Sequence, residues 1–197
     1  MQSWIDAVVQ EKTQLLEKLK TQGYLHQVEL AGEKLAEALE CGHKILLAGN
    51  GGSAADAQHF AGEMVGRFTM ERASLPAVSL CTDPSVVTCI ANDYGYTSVF
   101  SRQVEGLGSA GDILIAISTS GNSENLLTAI EVAHAKEIKV ISFLGKGGGK
   151  IKDVSDIALV VPSDVTPRIQ EVHTFTVHLL CEWIERALFS HKEDAHA

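Results

Sequence analysis

The chain has 197 residues, of which 45% are hydrophobic and 21% are charged, a composition typical of a globular protein rather than a disordered one. Its 25 acidic and 16 basic residues give a formal net charge of −9, which argues against a protein that binds nucleic acid by neutralising phosphates. Because no apolar run is long enough to cross a bilayer and the first residues do not resemble a signal peptide, we expect a cytoplasmic protein that does not bind membranes.

The cysteines are spaced too widely for a CxxC redox pair or a zinc knuckle. They therefore indicate neither a disulfide framework nor a structural metal site. In a reducing cytoplasm we expect all four to be buried free thiols: Cys41, Cys81, Cys89 and Cys181.

Two amphipathic helices open the chain, over residues 1–20 and 25–40, with a break at Gly23. Beyond them, short and wholly apolar segments alternate with segments of helical periodicity. The apolar segments are the predicted strands: residues 44–48, 77–81, 112–117, 139–144 and 157–161.

Helices are predicted between these strands and after the last one. The glycine-rich segment 145–149 lies between a strand and a turn and is interpreted as a connection. The predicted helices are residues 53–68, one that begins at a cap on Asp83 or Ser85, one that follows residues 118–123 and ends near Lys136, and one from Pro167 to about Phe189.

Short buried strands separated by helices are typical of a parallel sheet with helices on both faces. We therefore predict an α/β fold: a doubly wound five-stranded parallel sheet with extra N-terminal helices. Since no long linker interrupts the pattern, residues 1–197 are predicted to form one domain. Within it, residues 1–40 form helices that contribute to an oligomer, residues 41–190 form the α/β core, and residues 191–197 form a frayed polar tail.

Two loops that follow predicted strands have the composition of a phosphate site. Residues 49–53 read Gly-Asn-Gly-Gly-Ser, whose glycines allow the backbone to approach a ligand closely. Residues 118–123 read Ser-Thr-Ser-Gly-Asn-Ser at a helix N-terminus, where hydroxyls and backbone N–H groups favour an anion such as a sugar phosphate. The alternative is that these residues only cap helices and form turns. Neither a GxGxxG dinucleotide motif nor a P-loop is present, because Ile151 stands where a P-loop needs Ser or Thr.

The helix predicted over residues 53–68 carries an imidazole and a carboxylate one turn apart. His59 and Glu63 project almost opposite the apolar stripe, and Gly62 and Gly66 beside them leave room for another backbone. The alternative for this pair is an exposed ion pair that contributes only a little to helix stability.

Gln170 and His178 lie outside the apolar stripe of the final helix. Together with His59 and Glu63, they supply nitrogen and oxygen donors that zinc prefers, with room left for substrate oxygens. Because these polar faces turn away from the core of their own subunit, we expect a second subunit to cover them, unless the N-terminal helices fold over the same face. His173 lies nearer the apolar stripe and is predicted to be a core histidine.

Several segments of the chain match one known family: Gly49-Asn50-Gly51-Gly52-Ser53, Gln58-His59-Phe60, Glu63, Gly66-Arg67-Phe68, Ala91-Asn92-Asp93, residues 118–123, and Arg168-Ile169-Gln170-Glu171-Val172-His173. Together they resemble the bacterial phosphoheptose isomerases, a family of the flavodoxin-like SIS (sugar isomerase) fold. The resemblance covers nearly the whole chain. Its specificity comes from the combination of motifs, because the fold alone also hosts regulators and binding proteins.

The resemblance implies an aldose–ketose isomerase that converts sedoheptulose 7-phosphate to D-glycero-D-manno-heptose 7-phosphate, towards the ADP-heptose of lipopolysaccharide. It implies a cytoplasmic homotetramer with one zinc ion per subunit, held by His59, Glu63, Gln170 and His178. In the enediol mechanism that it implies, Glu63 moves the carbon-bound proton and His178 moves protons between the oxygens. The implied substrate contacts, beside Ser53 of the first loop, are Asn50, Gly51, Gly52, Asn92, Asp93, Ser118, Thr119, Ser120, Ser123 and Gln170.

Two other hypotheses belong to the same fold. One relative is a non-catalytic tetramer that associates with a replication initiator, and residues 74–77 and 188–191 resemble it. That relative lacks the carboxylate at the position of Glu63 and the histidine at that of His178, so their presence here favours the isomerase. A phosphosugar-sensing regulator usually carries a DNA-binding segment, which is not evident in this sequence. Thr166 precedes Pro167 where some isomerases have an acidic residue, which leaves other phosphosugar substrates open.

Overall fold

The computed structural model describes residues 2–190, and the polar tail predicted over residues 191–197 lies outside them. The chain begins with two long helices, α1 (Gln2–Thr21) and α2 (Tyr24–Glu40). Gly23 between them has a φ of 78°, in the left-handed region that favours glycine. The predicted break between the two helices is therefore present, and this glycine allows the chain to turn there.

A sheet of five parallel strands forms the centre of the fold, as predicted. Its order is β2-β1-β3-β4-β5. Because β2 and β3 lie on opposite sides of β1, the direction of winding reverses between β1 and β3, which is the topological switch point of such sheets. The strands are β1 (Ile45–Gly49), β2 (Ala77–Ser79), β3 (Ile113–Ser118), β4 (Lys139–Leu144) and β5 (Ile157–Val160).

The helices that follow the strands differ from the predictions mainly in their ends. The first of them ends at Val65 rather than near residue 68, and Asp83 is the cap of the next, since its Oδ1 accepts from the N–H of Ser85 at 2.8 Å. Two short helices were missed, because segments of seven and five residues are too short to show a helical repeat. The helices are α3 (Gly52–Val65), α4 (Pro84–Tyr94), α5 (Ser101–Leu107), α6 (Glu124–Ala135), α7 (Gly149–Asp153) and α8 (Thr166–Phe189).

Helices cover both faces of the sheet, so the protein has two apolar layers. Alternate residues of a strand point to opposite faces. In β1, Ile45 and Leu47 pack in the layer of α1, α2, α3 and α8, whereas Leu46 and Ala48 pack in the layer of α4, α5 and α6. All four side chains are completely buried. The first layer matters for function because α3 and α8 pack against each other within it.

The cysteines are only partly as expected. Cys181 is buried, Cys81 is half-buried, and Cys41 and Cys89 are exposed, so the prediction of four buried thiols was wrong for the last two. Cys41 follows the last residue of α2, where the chain is already at the surface. Among residues 2–190, no helix is long and apolar enough to span a membrane.

Candidate active site

Two loops at the carboxyl edge of the sheet lie next to each other: the glycine loop (residues 49–53), which follows β1, and the serine loop (residues 118–123), which follows β3. They are adjacent because β1 and β3 are neighbours, with Gly49 paired to Ile117. Ligands of doubly wound sheets bind at this edge, outside the switch point. The sheet thus joins the two segments that the sequence indicates for a phosphate.

The glycine loop is held in shape by a pair of amides. Nδ2 of Asn50 donates to Oδ1 of Asn125 at 3.0 Å, and Nδ2 of Asn125 donates back to Oδ1 of Asn50 at 2.9 Å. The Tyr96 hydroxyl donates to the same Asn50 oxygen at 2.9 Å. Gly51 has a φ of 58°, and Ser53 is buried at the start of α3. The Asn50 side chain is therefore engaged within the protein and links the glycine loop to the first turn of α6 and to Tyr96.

The serine loop gathers three hydroxyl groups. Oγ of Ser118 lies 3.1 Å from Oγ of Ser123 and 3.4 Å from Oγ of Ser120, and it accepts from the Gly121 N–H at 3.1 Å. Ser123 precedes α6 but makes no side-chain hydrogen bond to that helix, so it is not simply a helix cap. Thr119 is half-buried in the same loop. Hydroxyls grouped at a helix N-terminus are suited to bind a phosphate monoester.

The glycine-rich segment 145–149 packs against the serine loop. A Cβ on Gly121 would overlap the carbonyl of Gly148, and Gly121 has a φ of 66°. The Asn122 side-chain oxygen accepts from the Lys150 N–H at 3.2 Å. From its sequence this segment is predicted to be only a connection, but in the structure it supports the loop. Its density of glycines was the signal of the close backbone contact that supports the serine loop.

The helices α3 and α8 pack side by side and run in the same direction. Residues therefore meet in pairs whose numbers increase together along both helices. Gln170 fits beside the start of α3 because Gly52 has no side chain, and a Cβ there would overlap the Gln170 amide. Three pairs, about one turn apart, meet along the contact: Gly52 with Gln170, Asp56 with Thr174, and His59 with His178.

The middle pair was missed by the sequence analysis. Asp56 is 8% exposed, and the Thr174 hydroxyl donates to its Oδ1 at 2.8 Å. Burial raises the pKa of the Asp56 carboxyl, and the hydrogen bond from Thr174 opposes this rise. Its position one turn before His59 on the same face of α3 was the available signal.

His59, Glu63 and His178 bring their polar atoms together. Oε1 of Glu63 lies 3.0 Å from Nε2 of His59, and Nε2 of His178 lies 3.4 Å from the same nitrogen. The Phe68 ring stacks on the His178 ring, with the ring centroids 5.4 Å apart. The side chains of His59 and Glu63 keep 38% and 24% of their exposure, so a ligand can reach this cluster.

A single chain does not test the prediction that a second subunit covers these polar faces. The faces of α3 and α8 cover each other in part within one chain, where His59 and His178, 119 positions apart, come into contact, while His59 and Glu63 stay partly exposed. A helical wheel shows which side of a helix a residue occupies, but it does not show which distant helix packs there. The contact therefore carries no information on the oligomeric state.

Asn92 and Asp93 lie at the exposed C-terminal end of α4. The Asn92 amide donates to Oδ1 of Asp93 at 2.8 Å, and the Cys89 thiol lies 3.6 Å from Oδ2. Tyr96, which follows shortly after them, donates to Asn50. The end of α4 is thus attached to the glycine loop, although the side chains of Asn92 and Asp93 are turned to each other.

His173 is the core histidine that the sequence predicts. It is completely buried, and its Nε2 lies 3.2 Å from the Leu144 carbonyl oxygen at the end of β4. Burial lowers the pKa of His173 to about 4, against a smaller opposing effect of that hydrogen bond. It is therefore neutral near pH 7.

A buried ion pair lies behind the cluster and was also missed. Glu185 on α8 and Arg72, in the α3–β2 segment (residues 66–76), both have fully buried side chains. Burial by itself would raise the pKa of Glu185, but backbone N–H groups of the segment outweigh it and lower the pKa to about 2. A glutamate on the apolar stripe beside Ile184 was the signal for a buried charge that needs a partner.

The residues predicted to hold zinc fit that metal in their chemistry. Two imidazoles, a carboxylate and an amide are donor types that zinc accepts. Nε2 of His59 lies 3.0 Å from the Glu63 oxygen and 3.4 Å from the His178 nitrogen. Both distances are close to the separation of two ligand atoms in a tetrahedral zinc site, which is about 3.4 Å for bonds of about 2.1 Å. Within residues 2–190, however, no group of three or more His, Cys, Asp or Glu side chains is arranged so that it could hold a metal ion. Gln170, the fourth predicted donor, lies beside Gly52, about two turns of α8 from His178, so its amide is not gathered with the other three groups.

Comparison with known proteins gives consistent matches. Residues 7–145 match the family model of the SIS domain. The chain is 52% identical over 189 residues to a phosphoheptose isomerase of Trichlorobacter lovleyi, covering 96% of each protein. It is 60% identical over 158 residues to a phosphoheptose isomerase of Helicobacter pylori, covering 80% of this chain and 82% of the relative. The solved structure of phosphoheptose isomerase from Neisseria gonorrhoeae matches with a TM-score of 0.88 and 43% identity, over 93% of this chain and 98% of that one.

Proposed function

Because the chain belongs to the phosphoheptose isomerase family of SIS-domain proteins, we propose that the cluster of His59, Glu63 and His178 is its isomerase site. The chain is an aldose–ketose isomerase that converts sedoheptulose 7-phosphate to D-glycero-D-manno-heptose 7-phosphate in heptose biosynthesis. The non-catalytic tetramer and the sugar-sensing regulator are not favoured, since relatives of this identity and coverage are isomerases.

The reaction needs a base for a carbon-bound proton and a second group for the protons on oxygen. In the ketose-to-aldose direction, Glu63 takes a proton from C1 and returns it to C2 of the enediol. His178 transfers the proton of the C1 hydroxyl to the oxygen on C2. The observation that supports these roles is the convergence of both groups on His59, at 3.0 and 3.4 Å.

The phosphate is proposed to lie at the serine loop, against Ser118, Thr119, Ser120 and Ser123. Its hydroxyls and the N-terminus of α6 offer donors without adding positive charge. Contacts to the sugar are proposed for Asn50, Gly51, Gly52, Ser53, Asn92, Asp93 and Gln170, with the main chain of Asn50 as the contact because its side chain is engaged by Asn125 and Tyr96. Gln170 is suited to contact the sugar, because it lies against Gly52 of the glycine loop.

Zinc is proposed as the cofactor, one ion per subunit, with His59, Glu63, Gln170 and His178 as its ligands. When bound, zinc would polarise the carbonyl group and stabilise negative charge on the neighbouring oxygens. The donor types and the separations at His59 support this assignment.

The protein is proposed to be a cytoplasmic homotetramer with the active sites at subunit interfaces. Each subunit is proposed to be a single SIS domain, which extends beyond the matched residues 7–145 to include α8. Helix α1 presents Trp4, Ile5 and Val9 with exposed fractions of 60%, 50% and 59%, an apolar surface of the kind that oligomers bury. The remaining exposure of His59 and Glu63 leaves space for a partner beside the cluster. Sedimentation equilibrium tests this proposal, and a monomeric mass would contradict it.

The activity is tested with the full chain and sedoheptulose 7-phosphate, supplied with zinc. NMR of the sugar distinguishes the ketose from the aldose during turnover. Glu63→Gln is expected to lower kcat by about 10²- to 10⁴-fold, whereas Glu131→Gln, at an exposed position of α6, should match the wild type. A wild-type protein without turnover would overturn the proposal.

A further inference from the structure

The α3–β2 segment is held by a carboxylate from a distant helix. Oε1 of Glu185 lies 2.9 Å from Nε of Arg72, and both side chains are fully buried. Glu185 also accepts from the backbone N–H groups of Phe68, Thr69 and Met70, at 2.9, 2.8 and 2.9 Å. One side chain of α8 therefore gathers three consecutive N–H groups of a segment that has no helix or strand to satisfy them.

Arg72 attaches the same segment to the end of α3. Its Nη2 donates to the Glu63 carbonyl at 2.8 Å, and its Nη1 donates to the Met64 carbonyl at 2.9 Å. These carbonyls belong to the last turn of the helix, which has no further turn to bond them. The guanidinium thus holds the backbone of the residue proposed as the base.

Phe68 joins the ion pair to the second proton-transfer group. Its N–H is bound by Glu185, about two turns beyond His178 on α8. Its ring is stacked on the His178 ring, with an angle of 28° between the planes. A ring held in this way covers one face of the imidazole and limits its rotation.

We infer that Arg72 and Glu185 are positioning residues for the proton-transfer pair, because one ion pair holds both the backbone of Glu63 and the ring that packs on His178. The inference rests on the proposed isomerase function of the cluster. Stability alone is a weak explanation for the pair, since apolar residues of similar volume often stabilise a core as well as a buried ion pair does. Proton transfer, in contrast, is sensitive to displacements of about 1 Å.

The first test is Arg72→Lys in the full chain. Lysine keeps the charge but lacks the planar fork that bonds a carboxylate and two carbonyls at once. We expect kcat to fall about tenfold or more, with KM changed less than about twofold. Phe68→Leu keeps the ion pair and removes the stacked ring, so it should lower kcat in the same way. Phe68→Tyr keeps the stacked ring and should therefore have a kcat close to that of the wild type.

A second ion pair, of which only the carboxylate is buried, provides the control. Nζ of Lys44 lies 2.6 Å from Oδ2 of Asp112, whose side chain is 2% exposed, at the opposite, amino edge of the sheet. Asp112→Asn should lower the thermal midpoint and leave kcat unchanged. All rates are measured well below the midpoint of each variant, so that loss of folded protein does not enter them.

A kcat within about twofold of the wild type in both Arg72→Lys and Phe68→Leu would overturn the inference. So would a crystal structure of Arg72→Lys in which Phe68 still stacks on His178 and Glu63 still contacts His59. The crystallographic result does not depend on turnover. A wild-type protein without isomerase activity therefore overturns the proposed function, while the geometry of the variant still decides the role of the ion pair.

Discussion

Nε2 of His178 lies 3.4 Å from Nε2 of His59, although 119 residues separate the two histidines in the chain. The contact joins α8 to α3, one turn before Glu63 on the latter helix. The three groups of the proposed proton-transfer cluster therefore meet within a single chain. The cluster can therefore be tested by single substitutions whose effects on structure and on chemistry are separable.

Replacement of each of two histidines of α8 by glutamine should have opposite effects on kcat and on stability. His178→Gln should lower kcat by about 10²-fold or more with little loss of stability, because the His178 side chain is half-exposed. His173→Gln should leave kcat unchanged and lower the free energy of unfolding by about 1–3 kcal/mol, because that imidazole is buried and bound to the Leu144 carbonyl. Steady-state kinetics and denaturant titrations measure both quantities. Equal losses of stability in the two variants would contradict the assignment.

Gly52→Ala should reduce activity with little effect on folding. Gly52 has no left-handed φ, so its backbone accepts alanine, but the new Cβ would displace the flexible Gln170 amide. We expect kcat/KM to fall about tenfold or more, with the free energy of unfolding changed by less than about 1 kcal/mol. Gly106→Ala is the control, since a Cβ there meets no atom within 4 Å. Unchanged kinetics in Gly52→Ala would argue against a role for Gln170.

Gly121→Ala should destabilise the serine loop more than its backbone angle alone explains. Gly121 and Gly147 both have positive φ, 66° and 76°, but only at Gly121 would a Cβ overlap the Gly148 carbonyl. Strain of the left-handed backbone costs about 1–2 kcal/mol at either position. The overlap should add about 1–3 kcal/mol at Gly121. Denaturant titration of Gly121→Ala and Gly147→Ala measures the difference. Equal losses in the free energy of unfolding would mean that the segment 145–149 moves aside at no cost.

Stability should fall in two separate steps as the pH is lowered in the presence of a chelator. Burial lowers the pKa of His173 to about 4 from 6.5, so the unfolded chain takes up this proton first, and stability is lost between these two values. The pKa of Glu185 is lowered to about 2 from 4.5, where backbone hydrogen bonds outweigh burial, so its contribution is complete above 4.5 and lost as the pH falls towards 2. His173→Gln should remove the first step and Glu185→Gln the second. Identical pH curves for wild type and variants would contradict both assignments.

Zinc should stabilise the chelator-treated protein through the cluster. A ligand present at 100 times its Kd raises the free energy of unfolding by about 2.7 kcal/mol, so the thermal midpoint should rise on addition of zinc. His59→Ala should abolish this rise. His134→Ala should keep it, because His134 is exposed on α6, far along the chain and paired with Asp156. A rise of equal size in His59→Ala would place the metal elsewhere.

Local patterns were sufficient for the sheet and for the separate parts of the site. The three central strands β1, β3 and β4 are buried on both faces and are therefore apolar runs in the sequence. The loops after β1 and β3 carry glycines and hydroxyls in short stretches. His59 and Glu63 are one turn apart, so helical periodicity places them on one face. The short helices α5 and α7 were missed because their residues are too few to repeat a pattern.

By itself, the sequence determined the parallel α/β architecture, the anion-binding composition of the serine loop, and the pairing of an imidazole with a carboxylate on α3. Each of these depends on neighbours within a few positions of the chain. Only the tertiary structure decided that His178 meets His59, that Gln170 fits against Gly52, and that Glu185 holds the α3–β2 segment. Such contacts depend on how helices pack across a sheet, and the free energy of burying a charge or closing a contact is set by a partner more than a hundred residues away.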